Sequence, residues 1–332
     1  IISNIPSTAN CSSPTNTHTI VINPAPQVVT PSQNVTICEG GSVTPLYVQT
    51  PGLDPNIQVD YEWFDITNGI PGTSVGVGST YPVNDGLSPS SPVLSPGVYE
   101  YHCVLTFSSA GCSSQTSSPI TITIEDDPTI LAINNSPQDI CVGGVIDPDF
   151  AVTVTGGLGN LTYEWYENTT PPNLLGSAPT FNPGVITTSD VYEYYVVVDD
   201  PGNGCDADNS SLFILNVEED PEADTILSTQ TVCEQSPGSS ATMLEVLNPV
   251  GGINTTYSYE WFDITNGIPG TSVGVGSTFT PPTSPPATNL YHCIISNIPS
   301  TANCSSPTNT HTIVINPAPQ VVTPSQNVTI CE

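Results

Sequence analysis

Ten cysteines are the residues of this 332-residue chain with the clearest chemistry. They recur at regular positions, and no two of them have the CxxC spacing that is typical of a zinc site. Such a pattern favours disulfides, which persist in an oxidising, exported environment. We therefore expect an extracellular protein.

Carboxylates are the second chemical feature, because the chain has 31 Asp and Glu and no Lys or Arg. Without cations it lacks the groups that neutralise phosphates or anionic membranes, which excludes nucleic-acid binding and a basic membrane patch. Fifteen carboxylates lie in residues 141–232. Clustered carboxylates suit calcium, although acidic loops are more often only solvated. The candidate calcium ligands are Asp126, Asp127, Asp199, Asp200, Asp206, Asp208, Glu218, Glu219 and Asp220.

Catalytic motifs do not occur in the sequence. It contains no Gly-rich phosphate loop, no HExxH and no nucleophile elbow. The four histidines form two repeated pairs, His18 with His311 and His102 with His292, and we predict that they lie on strand surfaces. We therefore predict that the chain is not an enzyme.

The cysteines belong to a tandem repeat. Residues 1–39 are identical to residues 294–332, and residues 61–80 are identical to residues 259–278. Successive cysteines that open a module are 103, 92 and 98 residues apart, which gives a long period of 293 residues made of three modules. We expect the chain to be a window from a longer array.

The repeated pattern predicts three modules with a partial module at each end. We place the C-terminal part of one module at 1–27, complete modules at 28–127, 128–222 and 223–320, and the start of another at 321–332.

Apolar and polar residues alternate with period two, which predicts strands rather than helices. In the first module Val59, Tyr61 and Trp63 share one face of such a strand. Short strands with a Trp on an early strand and a Tyr on a late one are typical of an Ig-like β-sandwich. The fold class is therefore all-β, with tandem Ig-like modules stacked into a semi-rigid rod by short junctions. The predicted core residues are Trp63, Trp165, Trp261, Tyr101, Tyr194 and Tyr291.

The order of motifs in each module resembles a known family of repeats. Cys-x-Gly, Tyr-x-Trp, a Tyr-rich strand, Gly-Cys-Ser and a Thr/Ile strand follow one another as in the Ig-like or PKD-like repeats of giant cell-surface proteins from Bacteroidota. The resemblance implies an adhesin stalk exported by the type IX route, as in gliding adhesins and the grappling-hook filaments of predatory members.

The function that we expect is a structural shaft of an extracellular surface filament or adhesin that projects or tethers. The expected partners are neighbouring repeats, a homo-oligomeric filament, surface glycans or other cells, with no membrane insertion. Two alternatives remain open: multivalent glycan- or ligand-binding modules, and accessory domains of a secreted hydrolase.

Bonding within modules would force one disulfide, because Cys141 and Cys205 are the only cysteines of residues 141–232. Analogy extends this scheme to the other modules. The predicted pairs are Cys38–Cys112, Cys141–Cys205 and Cys233–Cys304, with Cys11 and Cys331 bonded to partners outside the sequence.

Two cysteines are left over in this scheme, Cys103 and Cys293. They would either cross-link chains or lie buried as small apolar side chains. We favour buried thiols, because Val196 occupies the equivalent position of the second module.

Overall fold

The computed structural model describes residues 2–3, 12–13, 16–18, 33–50, 57–84, 93–107, 113–225, 229–234, 241–298 and 304–320. These residues form strands, turns and loops without a helix, which confirms the all-β prediction. Accordingly, the described residues include no helix that could span a membrane.

Strands are named in chain order. Those up to residue 127 are β1 (Ile2–Ser3), β2 (Ser12–Ser13), β3 (Val35–Cys38), β4 (Leu46–Tyr47), β5 (Val59–Asp65), β6 (Thr73–Val77), β7 (Thr80–Tyr81), β8 (Gly97–Phe107), β9 (Gln115–Thr116) and β10 (Ile120–Glu125). Those of residues 128–222 begin with β11 (Thr129–Asn134), β12 (Gln138–Cys141), β13 (Phe150–Thr155), β14 (Thr162–Glu167) and β15 (Asn173–Gly176). They continue with β16 (Thr180–Phe181), β17 (Asp190–Asp199), β18 (Asp208–Asn209) and β19 (Phe213–Glu218). The remaining strands are β20 (Glu222–Thr225), β21 (Thr229–Cys233), β22 (Leu244–Val250), β23 (Tyr257–Asp263), β24 (Thr271–Val275), β25 (Thr278–Phe279), β26 (Thr288–Asn297), β27 (Ser305–Pro307) and β28 (His311–Asn316).

Each module contains a larger sheet with the same strand order. The order is β3-β10-β8-β5-β6 in the first module, β12-β19-β17-β14-β15 in the second and β21-β28-β26-β23-β24 in the third. The opening strand pairs in parallel with the last strand of its module, and the other neighbours on this path are antiparallel. A central long strand flanked by the last strand and the Trp strand is the arrangement of an Ig-type sheet.

A smaller sheet completes each sandwich: β4-β7, β11-β13-β16 and β20-β22-β25. Apolar residues of both sheets form one core cluster per module. At the centre of each core the indole of Trp63, Trp165 or Trp261 is fully buried. Its N–H donates to a backbone carbonyl at 2.9–3.0 Å, and its ring stacks on an aromatic residue of the smaller sheet. The buried tyrosines Tyr101, Tyr194 and Tyr291 contribute to the same cores.

Contacts divide the chain into two compact units. The first contains Ile1–Asp127 together with the loops Gly156–Asn160 and Asp200–Asp206, and the second contains the remaining residues. The first unit therefore includes two loops that the sequence assigns to the second module.

Candidate functional site: the disulfide-bonded module ends

The structure contains two disulfides among the described residues, and both join consecutive modules. Cys38 bonds to Cys205 with a Cα–Cα distance of 4.8 Å, and Cys141 bonds to Cys304 with a Cα–Cα distance of 5.0 Å. In both cases the opening cysteine of one module bonds to the last cysteine of the next module.

The predicted bonds within modules are therefore wrong. The pair Cys141–Cys205 is excluded because each cysteine bonds elsewhere, and the same holds for Cys233–Cys304 through Cys304 and for Cys38–Cys112 through Cys38. Cys112, Cys11 and Cys331 themselves lie outside the described residues.

Strand direction explains why a bond within a module is unfavourable. In the third module Cys233 stands opposite Asn316, at the end of β28, whereas Cys304 precedes the start of that strand. A strand of six residues is about 20 Å long, far more than the 4.4–6.8 Å that separates the Cα atoms of a disulfide. Cys141 likewise stands opposite Glu218, at the end of β19.

In the first unit, hydrogen bonds hold the chain on both sides of the Cys38–Cys205 bond. The amide of Cys38 donates to the carbonyl of Asn203 at 3.0 Å. The side chain of Asn203 then accepts from the amide of Ser42 at 3.3 Å and donates to the Ser42 carbonyl at 2.7 Å. These three hydrogen bonds join the two segments much as adjacent strands are joined, and they position the two cysteines.

Glycines allow these two segments to approach closely. A Cβ on Gly204 would lie 1.8 Å from the amide nitrogen of Gly41, and a Cβ on Gly41 would lie 2.6 Å from the carbonyl oxygen of Asn203. Gly204 also has a φ of 84°, which side-chain-bearing residues rarely adopt. The glycines beside both cysteines, in CEGG and GNGC, are thus functional residues that sequence reasoning missed, although their repeated association with cysteine was a visible signal.

In the second unit, the Cys141–Cys304 bond lies in the core. Cys141 and Cys304 are 0% and 2% exposed, and both belong to the hydrophobic cluster of the second module. Ile253, from a loop of the third module, packs against the same cluster. Ser306 donates a short hydrogen bond to the carbonyl of Pro221.

A glycine amide of the next module binds the end of the preceding module at both sites. Gly157 donates to the carbonyl of Asp126 at 2.8 Å, and Gly252 donates to the carbonyl of Glu219 at 2.9 Å. The two glycines occupy the same place in their modules, two residues after the end of the middle strand of the smaller sheet, β13 or β22. The backbone hydrogen bonds near the two disulfides therefore repeat as well as the cysteines themselves.

A buried polar side chain supports the glycine loop at each site. Asp200 is fully buried, and its carboxylate accepts from the amides of Leu158 at 2.7 Å, Asn160 at 3.0 Å and Gly202 at 3.1 Å. Burial alone would raise the pKa of Asp200, but these backbone N–H groups outweigh it, and the pKa lies below its ordinary value.

Asn297 has the same role in the third module. It is also fully buried, and its Oδ1 accepts from the amide of Ile253 at 2.9 Å while its Nδ2 donates to the carbonyl of Asn254 at 2.9 Å.

Several candidate calcium ligands bind backbone amides instead of facing one another. Asp208 accepts from the amide of Ile130 at 2.8 Å, and Asp127 accepts from the amide of Asp206 at 3.2 Å. Among the described residues, one group of three potential metal ligands has its ligand atoms close together: Cys38, Asp127 and Cys205. The two cysteines of this group are bonded to each other in the disulfide. Calcium binding by the acidic residues stays a prediction.

Asp220 differs from the other acidic candidates. Its Oδ1 is buried without a hydrogen-bond partner. Burial and the neighbouring Glu219 raise the pKa of Asp220, against an opposing hydrogen bond from the amide of Ser305.

Two thiols lie in the cores. Cys103 and Cys293 are fully buried in their modules, where burial raises the thiol pKa to about 11 and about 12. These values keep both side chains protonated at neutral pH, as small apolar groups.

The prediction that the repeated histidines are strand-surface residues is wrong for three of them. His102 and His292 are 6% and 5% exposed, because Phe64 and Phe262 of the neighbouring strand cover the imidazoles. His311 is fully buried in the core of the third module.

Clefts on the described surface lie at different places in their modules. One in the second module is lined by Phe181, Asn182 and Tyr192, and one in the third module is lined by Tyr257, Tyr259 and Ile294.

Solved structures of tandem domains are similar to this chain at low sequence identity. The three N-terminal domains of the highly immunogenic outer capsid protein of bacteriophage RB49 align with a TM-score of 0.47 and 14% identity, over 89% of this chain and 99% of that one. Immunoglobulin domains 1–5 of Sidekick-1 align with a TM-score of 0.41 and 15% identity, over 90% of this chain and 60% of that one. A three-domain I-band fragment of titin aligns with a TM-score of 0.40 and 13% identity, over 89% of this chain and 99% of that one.

At these identities, and with TM-scores below 0.5, the likeness supports no conclusion about this chain. No family model and no curated protein sequence matches the chain. The sheet order and the repeated bonds define an all-β protein of tandem Ig-like modules, in which consecutive modules are joined by disulfides.

Proposed function

We propose that this chain is a structural repeat of the shaft of an extracellular surface filament or adhesin, which projects or tethers its end at a distance. The observation that supports this most is the repetition of the bonded end. The same cysteine positions, glycine amide and buried polar side chain recur at two successive sites. Each module of a repeat array contacts only its neighbours, so an arrangement that joins one module to the next at every boundary suits a continuous shaft.

Three features of the chain suit this role. Disulfides require an oxidising compartment, which favours a place at the cell surface. Each further 293-residue repeat would lengthen the chain without introducing new kinds of functional group. The motif order favours the Bacteroidota type of surface protein, exported by the type IX route and used in attachment, gliding or prey capture. Neighbouring repeats would then form a semi-rigid rod, and several chains would associate into a homo-oligomeric filament.

A binding measurement tests the shaft against a multivalent adhesin. The oxidised 332-residue chain is applied to a glycan array and to intact cells over a wide concentration range, with the reduced and alkylated chain as control. We expect no saturable binding. Saturable binding of the oxidised chain that the reduced chain lacks would overturn the shaft role in favour of glycan- or ligand-binding modules.

Surface labelling tests the location. Antibodies against the described modules should label intact cells of the source organism without permeabilisation. Labelling only after permeabilisation would contradict an extracellular shaft.

A further inference from the structure

The two disulfides interlace along the chain. Cys38–Cys205 has a sequence separation of 167 and Cys141–Cys304 a separation of 163. Cys141 lies inside the first loop and Cys205 inside the second, so the loops overlap instead of following one another.

We propose that these interlaced disulfides form a redundant covalent bypass, which carries tension past the sandwich modules and limits extension when modules unfold. The proposal deepens the shaft function and rests on it, because only a chain under load would use such a path.

With both bonds intact, tension follows a path that uses both. It runs through residues 1–38, crosses to Cys205, returns along 205–141 and crosses to Cys304, then continues to residue 332. This path contains 132 of the 332 residues. At roughly 3.5 Å per extended residue, full extension would be about 460 Å instead of about 1,160 Å.

Loss of one bond changes this path little. With Cys38–Cys205 alone the loaded residues are 1–38 and 205–332, which is 166 residues. With Cys141–Cys304 alone they are 1–141 and 304–332, which is 170 residues. The first broken bond therefore releases 34 or 38 residues, and the second releases more than 160. Disulfides in series would instead each release their own loop, in any order.

The surroundings of the bonds suit a load-bearing role. Cys141 and Cys304 are at most 2% exposed, so a soluble reductant has little access to their bond in the folded chain, whereas Cys205 of the first bond is only half-buried. The Asn203 hydrogen bonds to Ser42 hold the segments beside the first bond together.

Single-molecule stretching of the full 332-residue chain tests the bypass. In the parent, Cys11, Cys112, Cys233 and Cys331 are replaced by Ser, and the termini are attached through peptide tags. One variant adds Cys38→Ser and Cys205→Ser, a second adds Cys141→Ser and Cys304→Ser, and a third adds all four. Peptide mapping before stretching establishes which bond each protein has formed.

We expect fully extended lengths of 132, 170, 166 and 332 residues, in that order. The measured length depends only on covalent connectivity, so a variant that loses stability still gives a valid value. Reduction of the parent should give the same length as the variant that lacks all four cysteines.

Two results would overturn the bypass. A parent length of 269 residues would mean that Cys141 bonds to Cys205, and 332 residues in either two-serine variant would mean that the remaining bond does not form alone. Either result leaves the shaft role standing, since that role is decided by the binding and labelling experiments.

Discussion

Replacement of His311 by phenylalanine should stabilise the third module and reduce its sensitivity to acid. His311 is fully buried, and neither of its ring nitrogens has a hydrogen-bond partner. Its ring lies 6.0 Å from that of Trp261. The equivalent residue is Ile120 in the first module and Phe213 in the second, and both are fully buried. The third module therefore holds an unsatisfied imidazole where the others hold hydrocarbon.

The expected gain at neutral pH follows from the cost of the unpaired nitrogens. A buried polar group without a partner costs about 1–3 kcal/mol. Phenylalanine removes both nitrogens and adds a little volume, which offsets part of the gain. We expect His311→Phe to raise the free energy of unfolding of the third module by about 2 kcal/mol.

Acid should enlarge this difference. Burial lowers the pKa of His311 below its ordinary value of 6.5. Below pH 6.5 the imidazole of His311 therefore binds a proton in the unfolded chain, whereas in the folded module it stays neutral to a lower pH. The free energy of unfolding of the parent keeps its full value above pH 6.5. At lower pH it decreases, with a slope of up to about 1.4 kcal/mol per pH unit for one group.

Hydrogen exchange of peptides from β23 and β28, measured between pH 5 and 7.5 with correction for intrinsic exchange, reports the stability of the third module. His311→Ile, which copies the first module, should act like His311→Phe. Phe213→His should transfer acid sensitivity to the second module. The carboxylates and His292 are common to parent and variant, so their titration cancels in the difference. A difference between His311→Phe and parent that stays constant from pH 7.5 to 5 would refute the reasoning.

Gly204→Ala should destabilise the first unit by at least about 2 kcal/mol more than Gly143→Ala, and peptide mapping should find less Cys38–Cys205 bond. The two glycines have φ values of 84° and 82°, but only a Cβ at Gly204 would meet a neighbour within 4 Å. Asp200→Ala should cost about 2–3 kcal/mol in chemical denaturation, whereas the exposed Asp60→Ala should be nearly neutral. Trypsin should leave even the reduced chain intact on a gel, because the chain has no Lys or Arg. Calcium should raise the melting temperature more than sodium at equal ionic strength if the acidic residues bind it, and equal effects would contradict the calcium prediction.

Much of the fold was predictable because alternation along a strand sets which side chains face the core. The Tyr-x-Trp strands indicated the buried indoles of all three modules, and the long Tyr strands indicated Tyr101, Tyr194 and Tyr291. His102 shows where this reasoning stops. Alternation correctly placed it on the face opposite Tyr101, but Phe64 from the neighbouring strand covers that face. Burial on the outer face depends on cross-strand neighbours, which a single strand does not reveal.

Sequence by itself determined the period, the all-β class and the positions of the cysteines, because these are properties of one strand or one repeat at a time. Tertiary structure alone decided which cysteines bond. A disulfide needs Cα atoms within about 4.4–6.8 Å, and the parallel pairing of the opening and last strands puts Cys233 and Cys304 at opposite ends of β28. The glycine-rich loop Asp200–Asp206 of the next module, in which Asp200 accepts from the amide of Gly202, instead brings Cys205 to Cys38. Proximity in the folded chain therefore overrode proximity in the sequence.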